Sequence, residues 1–178
     1  MKTLLIYYSF SGNNEIIAEE LQNKLECDLY KIKELKRRTK FSIILDIMFN
    51  RGTRIQQPEL NLQQYDHIIL MAPIWTGKLA TPMRAFLELE RDFIKEYSFI
   101  TVCGGALGGN KKIAGELSGL LSSEPVSLLE LKVNDLLPDD QKGKIKYTTG
   151  YRLQEQDVRA FDKEIRSFLQ VVAGSVAV

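Results

Sequence analysis

The sequence predicts an α/β protein built as a three-layer, doubly wound sheet of five parallel strands. Apolar runs of strand length alternate along the chain with segments whose apolar residues recur at helical spacing, which is typical of βαβ units. Five strands with helices between them imply a parallel sheet that is covered on both faces. The length of 178 residues, with 44% hydrophobic and 26% charged residues, fits one globular domain spanning residues 1–178.

The first half of the chain supplies three strands and two helices. An apolar and aromatic run predicts a strand at Thr3 to Tyr8, and a turn rich in Ser and Asn leads into a predicted helix at Asn13 to Leu25. Shorter apolar runs predict strands at Asp28 to Ile32 and His67 to Ala72. The apolar spacing that follows the third strand predicts a helix at Thr81 to Glu90.

The second half supplies the remaining two strands and two helices. Apolar runs predict strands at Ser98 to Cys103 and Val126 to Leu131, with a helix between them at Lys111 to Ser122. The final predicted helix, Gln156 to Val171, carries an apolar stripe suited to packing on a sheet. The stripe consists of Val158, Phe161, Ile165, Phe168, Leu169 and Val172. Two segments exceed the minimal pattern, Lys33 to Gln57 and Leu136 to Arg152, and loops of that length are often functional.

The composition excludes several classes of function. The net charge of +1 gives no overall attraction to nucleic acid, and the basic residues are not interleaved with aromatic ones. Cys27 and Cys103 lie far apart and His67 is the only histidine, so neither a zinc site nor a disulfide scaffold is predicted. The apolar run after Lys2 ends too early for a signal peptide, and no run of about 20 apolar residues follows. We therefore expect a cytoplasmic protein without a transmembrane segment.

The loop after the first strand has the composition of a phosphate site. Parallel sheets of this kind bind ligands at the carboxyl ends of their strands. Backbone N–H groups at a helix start, together with the helix dipole, favour an anion there, and Gly12 permits close approach. An ordinary capped turn is the alternative. The candidate residues are Ser9, Phe10, Ser11, Gly12, Asn13 and Asn14.

The loops after the third and fourth strands favour a flat ring. The third is followed by Pro73, Ile74, Trp75, Thr76 and Gly77, which include the only Trp of the chain. This side chain can stack on a ring while neighbouring backbone groups bind its rim, or it can simply pack in the loop. The fourth is followed by a glycine-rich loop that presents bare backbone to a planar ligand, unless its glycines provide only flexibility. Its candidate residues are Cys103, Gly104, Gly105 and Gly109.

A phosphate site, an aromatic side chain and a ring edge along one sheet edge together describe flavin mononucleotide (FMN). At this point the chain resembles the flavodoxin-like family. Residues 9–14, Ser-Phe-Ser-Gly-Asn-Asn, are similar to its Thr/Ser-x-Thr-Gly-Asn-Thr phosphate loop. Residues 73–77 and the helix from Thr81 are similar to its Pro-Ile-Trp-x-Gly loop and the helix after it. The resemblance spans nearly the whole chain and implies strand order 2-1-3-4-5, although Asn14 replaces the usual Thr.

The resemblance implies an FMN-binding oxidoreductase or electron-transfer protein, in which the flavin carries the redox chemistry and no side chain acts as a nucleophile. The near-neutral charge departs from the strongly acidic electron carriers of the family. Lys111 and Lys112 follow a glycine loop that contains no carboxylate, which favours two-electron reductase chemistry if they lie near the flavin; the alternative is that they are simply solvated at a helix start. The redox partner is a nicotinamide, a quinone or an electron-transfer protein.

Several alternative readings accompany this interpretation. The flavodoxin-like protoporphyrinogen oxidase, whose long inserted loop meets the membrane, is a related alternative, and a flavin-free interaction module on the same fold is another. Phosphoacceptor receiver domains share the topology but need an Asp at the end of the third strand, where this chain has Met71, Ala72 and Pro73. His67 is interpreted as an ordinary surface residue. Cys103 is either a redox thiol at the flavin edge or a small buried hydrophobe.

The insertion at residues 33–57 is predicted to contain an added basic and apolar helix. Phe41, Ile44, Leu45 and Met48 recur at helical spacing, and Ile43, Ile47 and Phe49 widen the apolar surface. Only Glu34 and Asp46 oppose the cations of this region, which are Lys31, Lys33, Lys36, Arg37, Arg38, Lys40, Arg51 and Arg54. Three roles are consistent with this pattern: a lid beside the flavin edge, a homodimer or partner contact through residues 41–49, or docking on an anionic membrane surface.

Overall fold

Five parallel strands form the central sheet, as the sequence predicts. The computed structural model describes residues 2–36, 39 and 52–174. The strands are β1 (Thr3–Tyr7), β2 (Asp28–Lys31), β3 (His67–Met71), β4 (Ile74–Trp75), β5 (Lys78–Leu79), β6 (Tyr97–Cys103) and β7 (Leu128–Lys132). The sheet has the order β2-β1-β3-β6-β7, while β4 and β5 form a separate antiparallel hairpin. The predicted order 2-1-3-4-5 is thereby confirmed.

The register of the strands brings their carboxyl ends to one edge. β1 lies between β2 and β3, with Leu5 opposite both Leu29 and Ile69. At the other side of the sheet, β6 pairs with β7 and places Thr101 opposite Glu130. All of these pairings are parallel, so the loops that leave β1, β3, β6 and β7 start from the same edge.

The helices mostly follow their predicted bounds. They are α1 (Asn13–Leu25), α2 (Thr81–Glu90), α3 (Ile113–Leu121), α4 (Val133–Leu136), α5 (Ile145–Thr148), α6 (Glu155–Ala160) and α7 (Asp162–Gly174). The single final helix predicted from Gln156 to Val171 is wrong, because α6 and α7 are separated at Phe161. The N–H of Phe161 donates to the carbonyl of Val158, a tighter turn than the α-helix makes.

Apolar clusters on the two faces of the sheet hold the helices in place. One cluster includes Ile6, Leu70 and Phe99 of the sheet with Met83 and Phe86 of α2. The other includes Leu5, Ile69 and Ile100 of the sheet with Ile17 of α1 and Ile165 of α7. Burial of each large apolar side chain contributes about 1.5–3 kcal/mol. The three-layer arrangement predicted from the alternating pattern is therefore the observed one.

His67 is buried, and its interpretation as a surface residue is wrong. The side chain is 0% exposed at the start of β3. Its Nδ1 lies 2.9 Å from Oε1 of Glu96, and its Nε2 lies 3.1 Å from Oγ of Ser98. The reason is the position of β3 in the middle of the sheet, where the chain entering β6 covers the first residue of β3. Both ring nitrogens are satisfied, so His67 links the two strands at the edge opposite the candidate site.

Part of the insertion after β2 can be described. Residues 37, 38 and 40–51, which carry the predicted apolar helical face, lie outside the described residues. At the two ends of the insertion, Glu34 and Ile55 form an antiparallel bridge. Within residues 2–36, 39 and 52–174, no helix is both long enough and apolar enough to cross a membrane.

Candidate functional site

The turn between β1 and α1 exposes the start of the helix. Gly12 precedes α1 with a left-handed φ of 93°, and its N–H donates to Oγ of Ser9 at 3.1 Å. A Cβ placed on Gly12 would meet no atom within 4 Å, so the backbone faces open space there. Oγ of Ser11 lies 3.5 Å from the backbone N of Asn13. Each serine oxygen faces a backbone donor, which leaves its hydroxyl hydrogen available to an incoming anion.

The two asparagine side chains of this turn are engaged in long-range hydrogen bonds. The amide of Asn13 donates to the carbonyl of Tyr151 at 3.0 Å and accepts from the N–H of Leu153 at 3.1 Å. Asn14 is buried, and its oxygen accepts from the N–H of Val102 at 2.9 Å. These bonds fix the start of α1 relative to β6 and to the segment before α6. The backbone N–H groups and the serines, rather than the amides, are therefore the exposed donors of the turn.

Lys31 and Glu15 form an ion pair in the first turn of α1. Glu15 also accepts a hydrogen bond from the hydroxyl of Tyr7 at 2.9 Å. The hydrogen bond from Lys31 lowers the pKa of Glu15, so the carboxylate stays ionised. The N-terminus of α1 attracts anions, whereas the Glu15 carboxylate beside it repels them. Lys31 compensates this negative charge of Glu15.

Trp75 belongs to an aromatic cluster beside this turn. Its ring meets Tyr8 edge-on, with centroids 6.0 Å apart and planes at 86°. It meets Phe10 at 6.3 Å and 90°. Trp75 and Phe10 are half-buried, so both keep some exposed surface in the loops that follow β3 and β1. The structure thus brings two predicted site residues together and adds Tyr8, which the sequence did not single out.

The hairpin that carries Trp75 is tightly constrained. Thr76 and Gly77 both have positive φ, 50° and 78°, as a two-residue type I′ turn requires. The carbonyl of Pro73 accepts from Ala80, and the N–H of Leu79 donates to Glu116 of α3 at 2.9 Å. Glu116 also pairs with Arg84 of α2. The predicted residues Pro73 to Gly77 therefore form a well-constrained hairpin at the sheet edge. Within it, half-buried Ile74 packs against the core.

The glycine-rich loop after β6 is shaped by β7. Gly105 has a φ of 70°, and a Cβ there would lie 2.7 Å from Cβ of Lys132, so only glycine fits. A Cβ on Gly109 would lie 3.1 Å from Oε2 of Glu130. The other carboxylate oxygen of Glu130 accepts from the N–H of Asn110 at 2.8 Å. The loop itself contains no carboxylate, but the structure brings one to it from the neighbouring strand.

Cys103 lies at the end of β6 beneath this loop. The side chain is 8% exposed. Burial, assisted by the negative charge of Glu130, raises the pKa of the Cys103 thiol to about 11. The reactive form of cysteine is the thiolate, so a neutral buried thiol is a poor nucleophile at pH 7. Of the two readings of Cys103, the geometry favours the small buried hydrophobe.

A further segment, residues 133–153, contacts the glycine-rich loop and the turn before α1. We call it the strap. The N–H of Asn134 donates to the carbonyl of Gly104 at 3.0 Å, and buried Thr148 lies against the same glycine. The bonds of Asn13 to Tyr151 and Leu153 attach the far end of the strap to α1. The sequence marked Leu136 to Arg152 only as a long loop, because nothing local reveals these distant partners.

Comparison with known proteins supports the fold. No protein-family model and no curated protein matches this sequence significantly. Among solved structures, a flavoprotein of Lactobacillus acidophilus NCFM in complex with FMN is 22% identical, covers 72% of this chain and 92% of its own, and has a TM-score of 0.62. A Bacteroides eggerthii DSM 20697 protein described as a flavoprotein is 19% identical, with coverage of 93% and 98% and a TM-score of 0.64. The Streptococcus pneumoniae TIGR4 flavodoxin is 13% identical, covers 98% of this chain and 99% of its own, and has a TM-score of 0.50. The chain therefore has the flavodoxin-like fold that the resemblance implied.

Proposed function

We propose that this protein binds FMN at the carboxyl edge of its sheet and acts as an FMN-dependent oxidoreductase. The observation that carries the proposal is the convergence of three loops, each suited to a different part of FMN, on that single edge. Such an edge is where open α/β sheets bind their ligands. The FMN-bound flavoprotein of Lactobacillus acidophilus, which shares the fold, supports the same assignment.

The phosphate of FMN fits the turn before α1. The first N–H groups of the 13-residue helix α1 have no intrahelical partners, and the open side of Gly12 lets a ligand approach the backbone closely. The hydroxyl groups of Ser9 and Ser11 add donors whose oxygens are already oriented by the turn. Lys31 removes the repulsion that Glu15 would otherwise exert on a dianion.

The isoalloxazine ring fits between the Trp75 hairpin and the glycine loop. Trp75 and Phe10 supply aromatic surface, and the type I′ turn holds backbone groups of Thr76 and Gly77 at the rim. On the other side, Gly104 and Gly105 offer backbone without side chains. When bound, FMN supplies hydride or electron transfer, while this chain binds the phosphate, orients the ring and limits its contact with water.

The proposed redox role has two parts, the class of reaction and the redox partner. The net charge of +1 does not match a strongly acidic electron carrier, so we assign the chain to the reductases. Its redox partner is a nicotinamide, a quinone or an electron-transfer protein. Glu130 moderates the influence of Lys111 and Lys112, because its carboxylate contacts the glycine loop directly while both lysines are exposed.

A visible spectrum of the purified protein and two titrations test the proposal. FMN should bind with the absorbance bands of a protein-bound flavin, and riboflavin should bind more weakly because it lacks the phosphate. Changing both Ser9 and Ser11 to Ala should weaken FMN by about thirtyfold, at roughly one lost hydrogen bond each, and leave riboflavin unchanged. Absence of flavin binding, or an equal loss for both ligands, would contradict the phosphate assignment.

A matched control comes from the other end of the molecule. Ser167 is exposed on α7 and lines a cavity of about 360 Å³ beside the first residues of β7, away from the carboxyl edge. Ser167→Ala removes the same hydroxyl group and should leave the affinities for FMN and riboflavin at wild-type values.

A further inference from the structure

The two ends of the insertion form a short stalk at the carboxyl edge of the sheet. We define the stalk as residues 32–36 and 52–56. The N–H of Leu35 donates to the carbonyl of Arg54 at 3.1 Å, and the N–H of Gln56 donates to the carbonyl of Lys33 at 2.8 Å. Ile32, which also donates to the carbonyl of Tyr7, is buried. The insertion therefore leaves the domain from the same edge that carries the proposed flavin site.

One carboxylate ties both strands of the stalk to β1. Oε1 of Glu34 accepts from the hydroxyl of Thr53 at 3.1 Å, across the stalk. Oε2 of Glu34 accepts from the hydroxyl of Tyr8 at 2.8 Å. Hydrogen bonds to an ionised acceptor are stronger than those between neutral groups, and these two approach separate oxygens of one side chain.

Tyr8 connects the Glu34 carboxylate to Trp75 in the aromatic cluster. It is the first residue after β1, is 5% exposed, and donates its N–H to the carbonyl of Met71 at 2.9 Å. Its ring packs edge-on against Trp75 at 6.0 Å. An edge-to-face contact depends on ring orientation, which the bond from the Tyr8 hydroxyl to Glu34 fixes. A continuous path of contacts thus runs from Thr53 through Glu34 and Tyr8 to Trp75.

We propose that Glu34 is a positioning residue of the flavin site, which holds Tyr8 against Trp75. Glu34 thereby couples the stalk of the insertion to the aromatic cluster formed by Tyr8, Phe10 and Trp75. This inference rests on the proposed function for its ligand but not for its contacts. Loss of the Glu34 carboxylate removes a hydrogen bond that orients the Tyr8 ring and so loosens its contact with Trp75, on which the isoalloxazine stacks. The effect falls on the ring and not on the phosphate, so FMN and riboflavin weaken together.

Trp75 makes the test direct, because it is the only Trp of the chain. Its fluorescence reports on the packing of the aromatic cluster in the absence of any ligand. Glu34→Ala and Tyr8→Phe should both shift the Trp75 emission of the flavin-free protein, and should weaken FMN and riboflavin by the same factor of about five. Glu34→Gln should keep both the Trp75 emission and the flavin affinities near wild-type values. The amide oxygen of Gln can accept from one hydroxyl group, and the amide NH2 can donate to the other.

The neighbouring tyrosine provides a matched control. The hydroxyl of Tyr7 also bonds a glutamate, Glu15, at 2.9 Å, but Tyr7 packs on the opposite face of the sheet. Tyr7→Phe should therefore leave the Trp75 emission unchanged. Wild-type emission and affinities in Glu34→Ala, or an equal emission shift in Tyr7→Phe, would overturn the inference. So would a loss of FMN with riboflavin spared.

Two further measurements separate the outcomes. Should Glu34→Ala fail to fold, Tyr8→Phe, which removes a single oxygen atom, answers the same question. Should the wild-type protein bind no flavin, the proposed function fails, while Trp75 emission in the flavin-free variants still decides the role of Glu34. Hydrogen exchange at the N–H groups of Leu35 and Gln56 should accelerate in Glu34→Ala relative to Tyr7→Phe, since the stalk loses its attachment.

Discussion

At the scale of single residues, the thiol of Cys103 illustrates how burial decides reactivity. Its pKa of about 11 predicts that alkylation in the native protein is slow at pH 8 and that half-buried Cys27 reacts first. Timed iodoacetamide labelling followed by peptide mass spectrometry measures both rates. Modification of Cys103 in the folded protein at its rate in denaturant would show that the thiol is accessible and reactive after all.

The same burial makes stability depend on alkaline pH. Between pH 9.0, the ordinary pKa, and about 11, the unfolded chain loses the thiol proton while the native chain keeps it. Folding stability must therefore fall across this interval, by about 2–3 kcal/mol from this one group. Urea unfolding from pH 8 to pH 11 should show a steeper decline for the wild type than for Cys103→Ala. Parallel curves for the two proteins would rule the effect out.

Lys31 offers a residue-scale test of the electrostatics at the helix start. Lys31→Met leaves the Glu15 carboxylate uncompensated in the first turn of α1, and should weaken FMN about threefold to tenfold at low salt with little effect on riboflavin. Lys24→Met is the matched control, because Lys24 pairs with Glu20 and Asp162 at the other end of α1. Equal effects of the two changes, or an effect that salt does not reduce, would exclude local compensation of Glu15.

At the scale of elements, the β4–β5 hairpin is held in its shape at the expense of one unfavourable residue. Thr76 is β-branched and occupies the left-handed region at a φ of 50°, where Asn is much better tolerated. Thr76→Asn should stabilise the flavin-free protein by about 1 kcal/mol and raise its Tm by roughly 2–4 °C. Gly77→Ala, at a φ of 78°, should act in the opposite direction. Calorimetry of both variants measures the difference, and an unchanged or lowered Tm for Thr76→Asn would contradict the assigned turn strain.

The elements also show what local sequence can and cannot predict. The bounds of α1 and α2 were predictable because their apolar spacing lies within the helices themselves, and because a proline, Pro82, stands in the first turn of α2. The hairpin was not, since its two-residue strands are too short for any periodic pattern. The break at Phe161 was missed because its apolar stripe continues through the interruption, and a helical pattern alone does not reveal a tightened turn.

At the scale of the whole molecule, the parallel sheet followed from the βαβ pattern and the strand order from the family resemblance, whereas the partners of particular side chains followed from neither. Asn13 bonds residues 138 and 140 positions away, and Glu130 reaches the glycine loop through strand pairing. His67 was misplaced for the same reason, because its burial depends on Ser98 of the neighbouring strand β6 and on Glu96 just before that strand. Such contacts are set by the assembled sheet and leave no periodic trace in the chain.

The strap turns this long-range contact into a test of the whole assembly. If the amide of Asn13 holds Tyr151 and Leu153, Asn13→Ala should release the strap from α1 and remove the packing of Thr148 against Gly104. FMN and riboflavin should then weaken alike, because the ring side of the site loosens. Trypsin should also cut faster after the strap residues Lys142, Lys144 and Lys146, which are exposed.

Ser11→Ala is the matched comparison for this last prediction. It changes the same turn without touching the strap, so it should weaken FMN alone and leave the rate of tryptic cleavage unchanged. The opposite result for Asn13→Ala, with FMN weakened, riboflavin spared and cleavage as slow as in the wild type, would identify the Asn13 amide as a phosphate ligand. Asn13 would then contribute to the phosphate site as the sequence suggested, and its two hydrogen bonds to residues 151 and 153 would not be what holds the strap to α1.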